Sequence, residues 1–327
     1  MSTGPALTVA LVGQPFWTVR LAESVARQSR RLSVVDLAGD GARAVARLHG
    51  GIDPERTTAV RVGYRPGAPT VRGRGYDALW RVVRRVRPRL RTGYFWIGTD
   101  VSDAVADHRA GRLTRSYALA RERSAHCAGA PWLCAELATT GVDATYVPFP
   151  VYVPSVPIPP PFPDRFTVLT YIPNDRPHLY GGDCLLATAA ALPDVLFVVA
   201  GGDGTWTSAA PGNVTFVGRL PSLVSAMTAS HVVLRLVRHD GFGATIREAL
   251  ALGRHALYSY DVPGTIQVDP DHTASVVQPL RRLRDEHERG RLQPNEEGRR
   301  YVTDEIDERS SVEHFERWVG KLSGATR

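Results

Sequence analysis

The chain is almost without lysine: of 40 basic residues, Lys321 is the only one. A pyridoxal cofactor needs a lysine amine in its site, and Lys321, in an amphipathic stretch near the C-terminus, is a poor candidate. Cysteine is scarce too. Cys127, Cys134 and Cys184 are odd in number and lack metal-ligand spacing, which argues against a disulfide framework or a zinc motif and for reduced thiols in a cytoplasmic protein. No apolar run approaches the ~20 residues of a membrane-spanning helix. The N-terminus has neither a basic start nor a small-residue cleavage site, so Leu7 to Val12 reads as a first buried strand rather than a signal segment. The strand–Gly–helix opening lacks Gly-x-Gly-x-x-Gly, so no dinucleotide site is expected there. No recognised nucleic-acid motif occurs.

What is present is the composition of a globular chain. Its 327 residues are 43% hydrophobic and 22% charged, enough for two ordinary domains. Residues 148–164, PFPVYVPSVPIPPPFPD, form a stiff proline-rich connector that divides the chain nearly in half. Residues 1–160 carry 22 arginines against 12 carboxylates, and the remainder 18 basic against 21 acidic side chains. The basic half suits an anionic membrane, a nucleic acid or a phosphorylated acceptor; it also suits the arginine load of a GC-rich genome.

Taken in order, apolar runs at Leu32–Leu37, Thr58–Tyr64, Tyr94–Ile97, Ala144–Val147, Phe166–Ile172, Val195–Ala200 and Asn213–Val217 read as buried strands. Helices are expected from about Thr18, at 41–48, 76–86, 183–192 and 220–229, and at 310–322 with Val312, Phe315, Trp318 and Val319 as its apolar stripe. The 76–86 helix sets Arg81, Arg84 and Arg85 against Leu79, Val82, Val83 and Val86. It reads either as a face resting on anionic lipid or as an ordinary amphipathic surface helix. His126 and Cys127 read as packing residues. The alternation of strands and helices implies parallel sheets, with ligands beyond the strand C-termini.

The most informative stretch is His231–Thr265: strand, glycine-broken loop, helix, strand. Asp240-Gly241-Phe242-Gly243 enters a helix near Thr245 that carries Ile246, Ala249, Leu250 and Leu252 and stops at Gly253. Backbone N–H groups of such a turn and the positive end of the helix form a seat for an anion. Asp240 and Glu248 flank it with carboxylates able to accept hydrogen bonds from sugar hydroxyls. A plain structural turn with a dipole-complementing Glu248 is the alternative.

Asp240-Gly241-Phe242-Gly243 followed by Arg247-Glu248-Ala249-Leu250-Ala251-Leu252-Gly253 resembles the signature of the retaining GT-B glycosyltransferases, glycosyltransferase family four, with Asp240 where glutamate is usual. Asp261-Val262-Pro263-Gly264 resembles the segment after the next strand. The resemblance implies an α/β GT-B fold of two Rossmann-like domains with parallel sheets facing a central cleft: residues 1–150, a linker at 151–165, 166–309, and a helix at 310–327 crossing back to the first domain. It implies transfer of a hexose-type sugar from a nucleoside diphosphate donor to a hydroxyl acceptor with retention, without cofactor or essential metal. Asp240 would take donor-sugar hydroxyls and Glu248 the ribose hydroxyls. Gly241, Phe242, Gly243 and Thr245 would line the seat. Gly201, Gly202, Val217, Gly218 and Arg219 would line the nucleobase slot. On the acceptor side stand Gly13, Gln14, Gly98, Thr99 and Asp100, the last either facing the acceptor or capping its helix.

Two further positions depart from the family. Ile97 stands where a histidine near the donor sugar is usual, and Tyr180 where a lysine grips the diphosphate. Arg176 is the expected phosphate cation, with Arg219, Arg235 or Arg238 replacing the lysine and Arg238 nearest in sequence to the motif. Asp269-Pro270-Asp271, the one Asp-x-Asp, reads as a surface turn rather than a metal site. The rivals are a non-catalytic binding protein of this fold, an epimerase or phosphorylase-like enzyme, and a basic nucleic-acid binder.

Overall fold

The computed structural model describes residues 7–38, 53 and 55–323; the helix expected at 41–48 lies outside them. The chain divides into two compact units, Met1–Tyr152 with Ile306–Arg327, and Val153–Glu305. In the first unit the order is β1 (Leu7–Gly13), α1 (Pro15–Gln28), β2 (Leu32–Asp36), β3 (Thr57–Val62), α2 (Val71–Val86), β4 (Arg91–Trp96), α3 (Thr99–Arg109), α4 (Arg115–Arg123), β5 (Ala125–Ala128), α5 (Pro131–Thr139) and β6 (Ala144–Tyr146). The second holds β7 (Thr167–Tyr171), α6 (Gly182–Ala191), β8 (Leu196–Ala200), β9 (Val214–Gly218), α7 (Val224–Thr228), β10 (Val232–Arg235), α8 (Ala244–Ala251), β11 (His255–Tyr258), β12 (Thr265–Gln267), α9 (Thr273–Glu288), α10 (Glu296–Arg300) and a π-turn (Tyr301–Glu305). The last helix, α11 (Glu308–Ser323), belongs to the first unit.

Each unit is built on a six-stranded sheet, ordered β2-β1-β3-β4-β5-β6 in the first and β12-β11-β10-β7-β8-β9 in the second. Every pairing is parallel. Strands covered on both faces must be apolar throughout, and Val9 to Val12 and Val232 to Leu234 are essentially fully buried. In both sheets the first strand has neighbours on its two sides, reached by crossovers in opposite directions. The loops leaving β1 and β3, and those leaving β7 and β10, therefore diverge and open a crevice at the strand C-termini.

In the first unit, α11 buries Val312, Phe315, Trp318 and Val319 with residues of β1, β3 and β4, Phe315 stacking on Phe95 at 5.9 Å. Its first residue, Glu308, is buried and accepts hydrogen bonds from Ser24 (2.7 Å), Arg27 (2.5 Å) and Gln28 (2.9 Å) of α1. Sequence and structure differ in several places. Helix α1 starts at Pro15, which suits the first helical turn, not near Thr18. Helix α2 begins at Val71, and Val82 is 43% exposed, so the inward face is phased differently from the apolar count. The buried Arg61 causes this: it donates to Asp77 at 2.6 Å and draws that carboxylate inward beside Trp80. The 220–229 helix shrinks to α7. Helices α3, α4 and α9 had no counterpart in the apolar pattern. Pro279 lies inside α9, beyond its first turn, where the missing N–H costs a ladder hydrogen bond. Among the described residues no helix is long and apolar enough to cross a membrane.

Candidate active site

The crevice of the second unit gathers the loop after β7, residues 172–181, and the loop after β10, residues 236–243. They are locked together: Arg238 N–H donates to the Leu179 carbonyl at 3.0 Å. Gly181 adopts φ +67°, and a methyl group there would lie 2.4 Å from Leu236 Cβ, so both conformation and space require glycine.

Arg235, the last residue of β10, lies at the centre. Its Nε donates to Asp240 Oδ2 at 2.6 Å, and both side chains are only 12% exposed. Asp240 also accepts from the Tyr258 hydroxyl (2.9 Å) and from the amides of Gly241 (3.0 Å) and Gly243 (3.3 Å). Its own N–H donates to the Tyr260 hydroxyl at 3.2 Å. Burial pushes the Asp240 pKa up, but the Arg235 charge and these hydrogen bonds outweigh it and hold the carboxyl below its ordinary value, ionised. The Tyr258 hydroxyl is pushed well up by burial and by the Asp240 charge beside it, so it stays a neutral donor. The ring of Tyr180 faces the Arg235 guanidinium, 5.5 Å from its centroid.

The turn that follows is held in an unusual shape. Phe242 has φ +63°, the only positive value at a non-glycine among the described residues. A left-handed conformation costs such a residue about 1–2 kcal/mol. The cost is offset by burial: the ring stacks between Tyr258 and Tyr301, each at 6.3 Å, with the Arg247 guanidinium 5.6 Å away. With Phe242 anchored inward, Gly243 caps α8, and Thr245 and Glu248, both half-buried, stand on its first two turns. The guanidinium of Arg235 lies flat against Gly243, where a methyl group would sit 2.9 Å from three of its atoms.

The other expected donor-side residues fall on neighbouring loops of the same edge. Gly201 N–H donates to the Gly218 carbonyl at 2.8 Å, and a side chain on Gly202 would meet Asn174. Val217 and Arg219 are exposed at the end of β9. Arg176 is 59% exposed, with Asp175 3.5 Å away. Arg238 is committed elsewhere, to Asp271 and to the His178 carbonyl. That occupies one carboxylate of the Asp269-Pro270-Asp271 turn; the other takes His272 at 2.6 Å.

The acceptor-side candidates lie on the strand ends of the first unit. The Gly13 carbonyl accepts the Tyr76 hydroxyl at 2.6 Å, and Gln14 is exposed before α1. Gly98 is buried and Thr99 exposed. The Asp100 carboxylate folds back on its own loop and accepts from the amides of Gly98 (2.8 Å), Ile97 (3.0 Å) and Val101 (3.1 Å). Burial raises its pKa, and those amides pull against the rise. Sequence reasoning missed Tyr258 and Tyr260. Both leave the strand beside β10, and no local pattern marks a tyrosine whose hydroxyl reaches a loop 18 residues upstream.

Two doubly wound parallel units, each with its crevice at the strand C-termini, define a GT-B fold, the architecture of many glycosyltransferases. Solved structures match along nearly the whole chain. Sucrose-phosphate synthase from Thermosynechococcus elongatus has a TM-score of 0.70 at 13% identity, covering 98% of this chain and 100% of that one. HepE of Anabaena, in complex with UDP and glucose, has a TM-score of 0.66 at 12% identity, with 97% and 100% covered. TarM of S. aureus matches with a TM-score of 0.61 at 12% identity over 85% of this chain, which spans 57% of TarM's length. No family model and no curated protein sequence matches.

Proposed function

We propose that the protein is a retaining glycosyltransferase that moves a hexose-type sugar from a nucleoside diphosphate donor to a hydroxyl acceptor without an essential metal. The observation that carries this reading is the Asp240–Thr245 turn: an anchored loop that sets a helix N-terminus at the switch point of the second sheet, between an ionised Asp240 and Glu248. Glu248 takes the ribose hydroxyls, Asp240 the hydroxyls of the transferred sugar, and the N-terminus of α8 the sugar or phosphate. The nucleobase rests against Gly201, Val217 and Gly218. The reaction runs on the front face: the anomeric C–O bond to the diphosphate breaks through an oxocarbenium-like state, the acceptor oxygen bonds to the same face, and its proton passes to the leaving phosphate. The acceptor approaches from the first unit, by Gly13, Gln14, Gly98 and Thr99.

A second reading, a nucleotide-sugar-binding protein without turnover, draws on Ile97 and on the solvent-exposed Arg176. Thermal stabilisation by UDP, GDP, ADP and TDP and their sugar conjugates, with and without magnesium, tests the donor site, since a ligand that binds the folded state raises Tm by mass action. A selective shift by one nucleotide, followed by release of that nucleoside diphosphate and an α-linked product from an α-linked donor, supports transfer. A shift without turnover supports the second reading. No shift with any nucleotide refutes both.

A further inference from the structure

Several arginines stand near the turn, and the structure separates them by what their guanidinium nitrogens already hold. Arg176 is mostly in solvent beside Asp175. Arg238 is spent on Asp271 and the His178 carbonyl, tying two loops. Arg219 is exposed at the far end of β9. Arg235 differs in three ways. It is fixed by a strand rather than a loop. Its side chain is 12% exposed. Only its Nε is used, on Asp240, and neither terminal nitrogen donates to a described residue.

The position of that guanidinium is electrostatically costly by itself. It lies against the cap residue of α8, at the positive end of a helix, where a cation is disfavoured. Asp240 supplies one negative charge. The two terminal N–H₂ groups of Arg235 and the N-terminus of α8 suit more negative charge than a single carboxylate. A guanidinium presents paired donors that match phosphate oxygens two at a time. Tyr180 and Tyr258 stand beside the pair and limit the water around it, which strengthens a charge–charge contact.

We infer that Arg235 is the diphosphate-binding cation of this site, oriented by Asp240, and that Arg176 is not. The inference rests on the donor reading of the same site and names the residue that grips the leaving group. Asp240 thereby gains a second role, because holding Arg235 by Nε leaves the terminal edge of the fork for the phosphate. As the anomeric C–O bond breaks, both electrons go to the diphosphate, and Arg235 meets the added charge.

The test measures binding by full-length protein of inorganic pyrophosphate and of UDP, GDP and ADP against their monophosphates. For the nucleotide that wild type prefers, Arg235→Gln is expected to lower diphosphate affinity by about 10- to 100-fold, the range for a charged hydrogen-bonded contact, and to collapse the diphosphate-to-monophosphate preference. Arg176→Gln stays within about threefold of wild type. Arg235→Gln removes the guanidinium from Asp240, so Arg235→Gln/Asp240→Asn, which removes both charges, and Arg235→Lys, which keeps the charge without the fork, are measured beside it, with circular dichroism as the folding check. Folded variants that all keep the wild-type diphosphate preference overturn the assignment while leaving the donor reading intact, as does a loss caused by Arg176→Gln alone. A wild type that binds none of the nucleotides overturns the donor reading, and this inference with it.

Discussion

Acid should weaken the second unit through His231. This residue, just before β10, is fully buried. Its Nδ1 accepts the Thr167 amide at 3.1 Å, so that nitrogen carries no proton. Its Nε2 meets His287 Nδ1 at 3.1 Å, and His287 Nε2 meets the Asp164 carbonyl at 2.9 Å. These contacts place the proton of His231 on Nε2, facing His287 Nδ1. Phe162 stacks on the His231 ring at 5.0 Å, and His255 and the buried Arg254 add nearby positive or ionisable groups. Burial first, then the neighbouring His287 and Arg254, lower the His231 pKa from 6.5 to about 3. The unfolded chain therefore binds a proton that the folded chain refuses between those values. The stability contributed by neutral His231 is fully present above pH 6.5 and is lost as pH falls towards 3. Between pH 7.5 and 5.0 the loss comes to about 2 kcal/mol. His231→Asn keeps an acceptor for the Thr167 amide and removes the titration. Urea unfolding at the two pH values should show wild type losing about 2 kcal/mol more than the variant. Equal losses, or an NMR titration of the His231 ring near pH 6.5, would refute the reasoning.

Other expectations follow from single contacts. Glu248→Ala should lower donor affinity about tenfold by removing one charged hydrogen bond; unchanged affinity in a calorimetric titration would put the nucleotide elsewhere. Gly243→Ala places a methyl group 2.9 Å from the Arg235 guanidinium, and its expected effect is weakened diphosphate binding with the helix content retained by circular dichroism. Gly93→Ala drives a methyl group to within 2.5 Å of the buried Trp318 ring, an overpacking that costs about 1–3 kcal/mol. It should loosen α11 from the first unit, read as faster amide exchange in α11 with no change in donor affinity. Retention on immobilised DNA should show no steep salt dependence, the signature of a phosphate-backbone binder.

Some of this protein is written in short stretches of sequence. The β10–turn–α8 unit is legible because each cue is local: an apolar run, two glycines at a turn, apolar residues at helical spacing, a glycine stop. The proline-rich connector and the apolar stripe of α11 are equally local. Hydrophobic runs also mark the strands, since strands covered on both faces can hold little else. Helices α4 and α9 were missed because much of what keeps them helical is their place between strand and solvent. On helix α2 apolar counting turned Val82 inward, whereas it is exposed and Asp77 is buried against Arg61.

The choice among arginines belongs to the tertiary structure. The family resemblance pointed to Arg176 and sequence distance to Arg238, but an ion pair forms where the fold brings charges within a few ångströms, not where they are near in the chain. Here Asp271 captures Arg238 across 33 residues, and a hydroxyl from β11 helps to hold Asp240. The sequence by itself determined a two-part parallel α/β chain with a glycine-rich turn that enters a helix after β10. Which arginine stands against that turn, and which side chains hold it there, was decided by strand order and burial, which no window of neighbouring residues encodes.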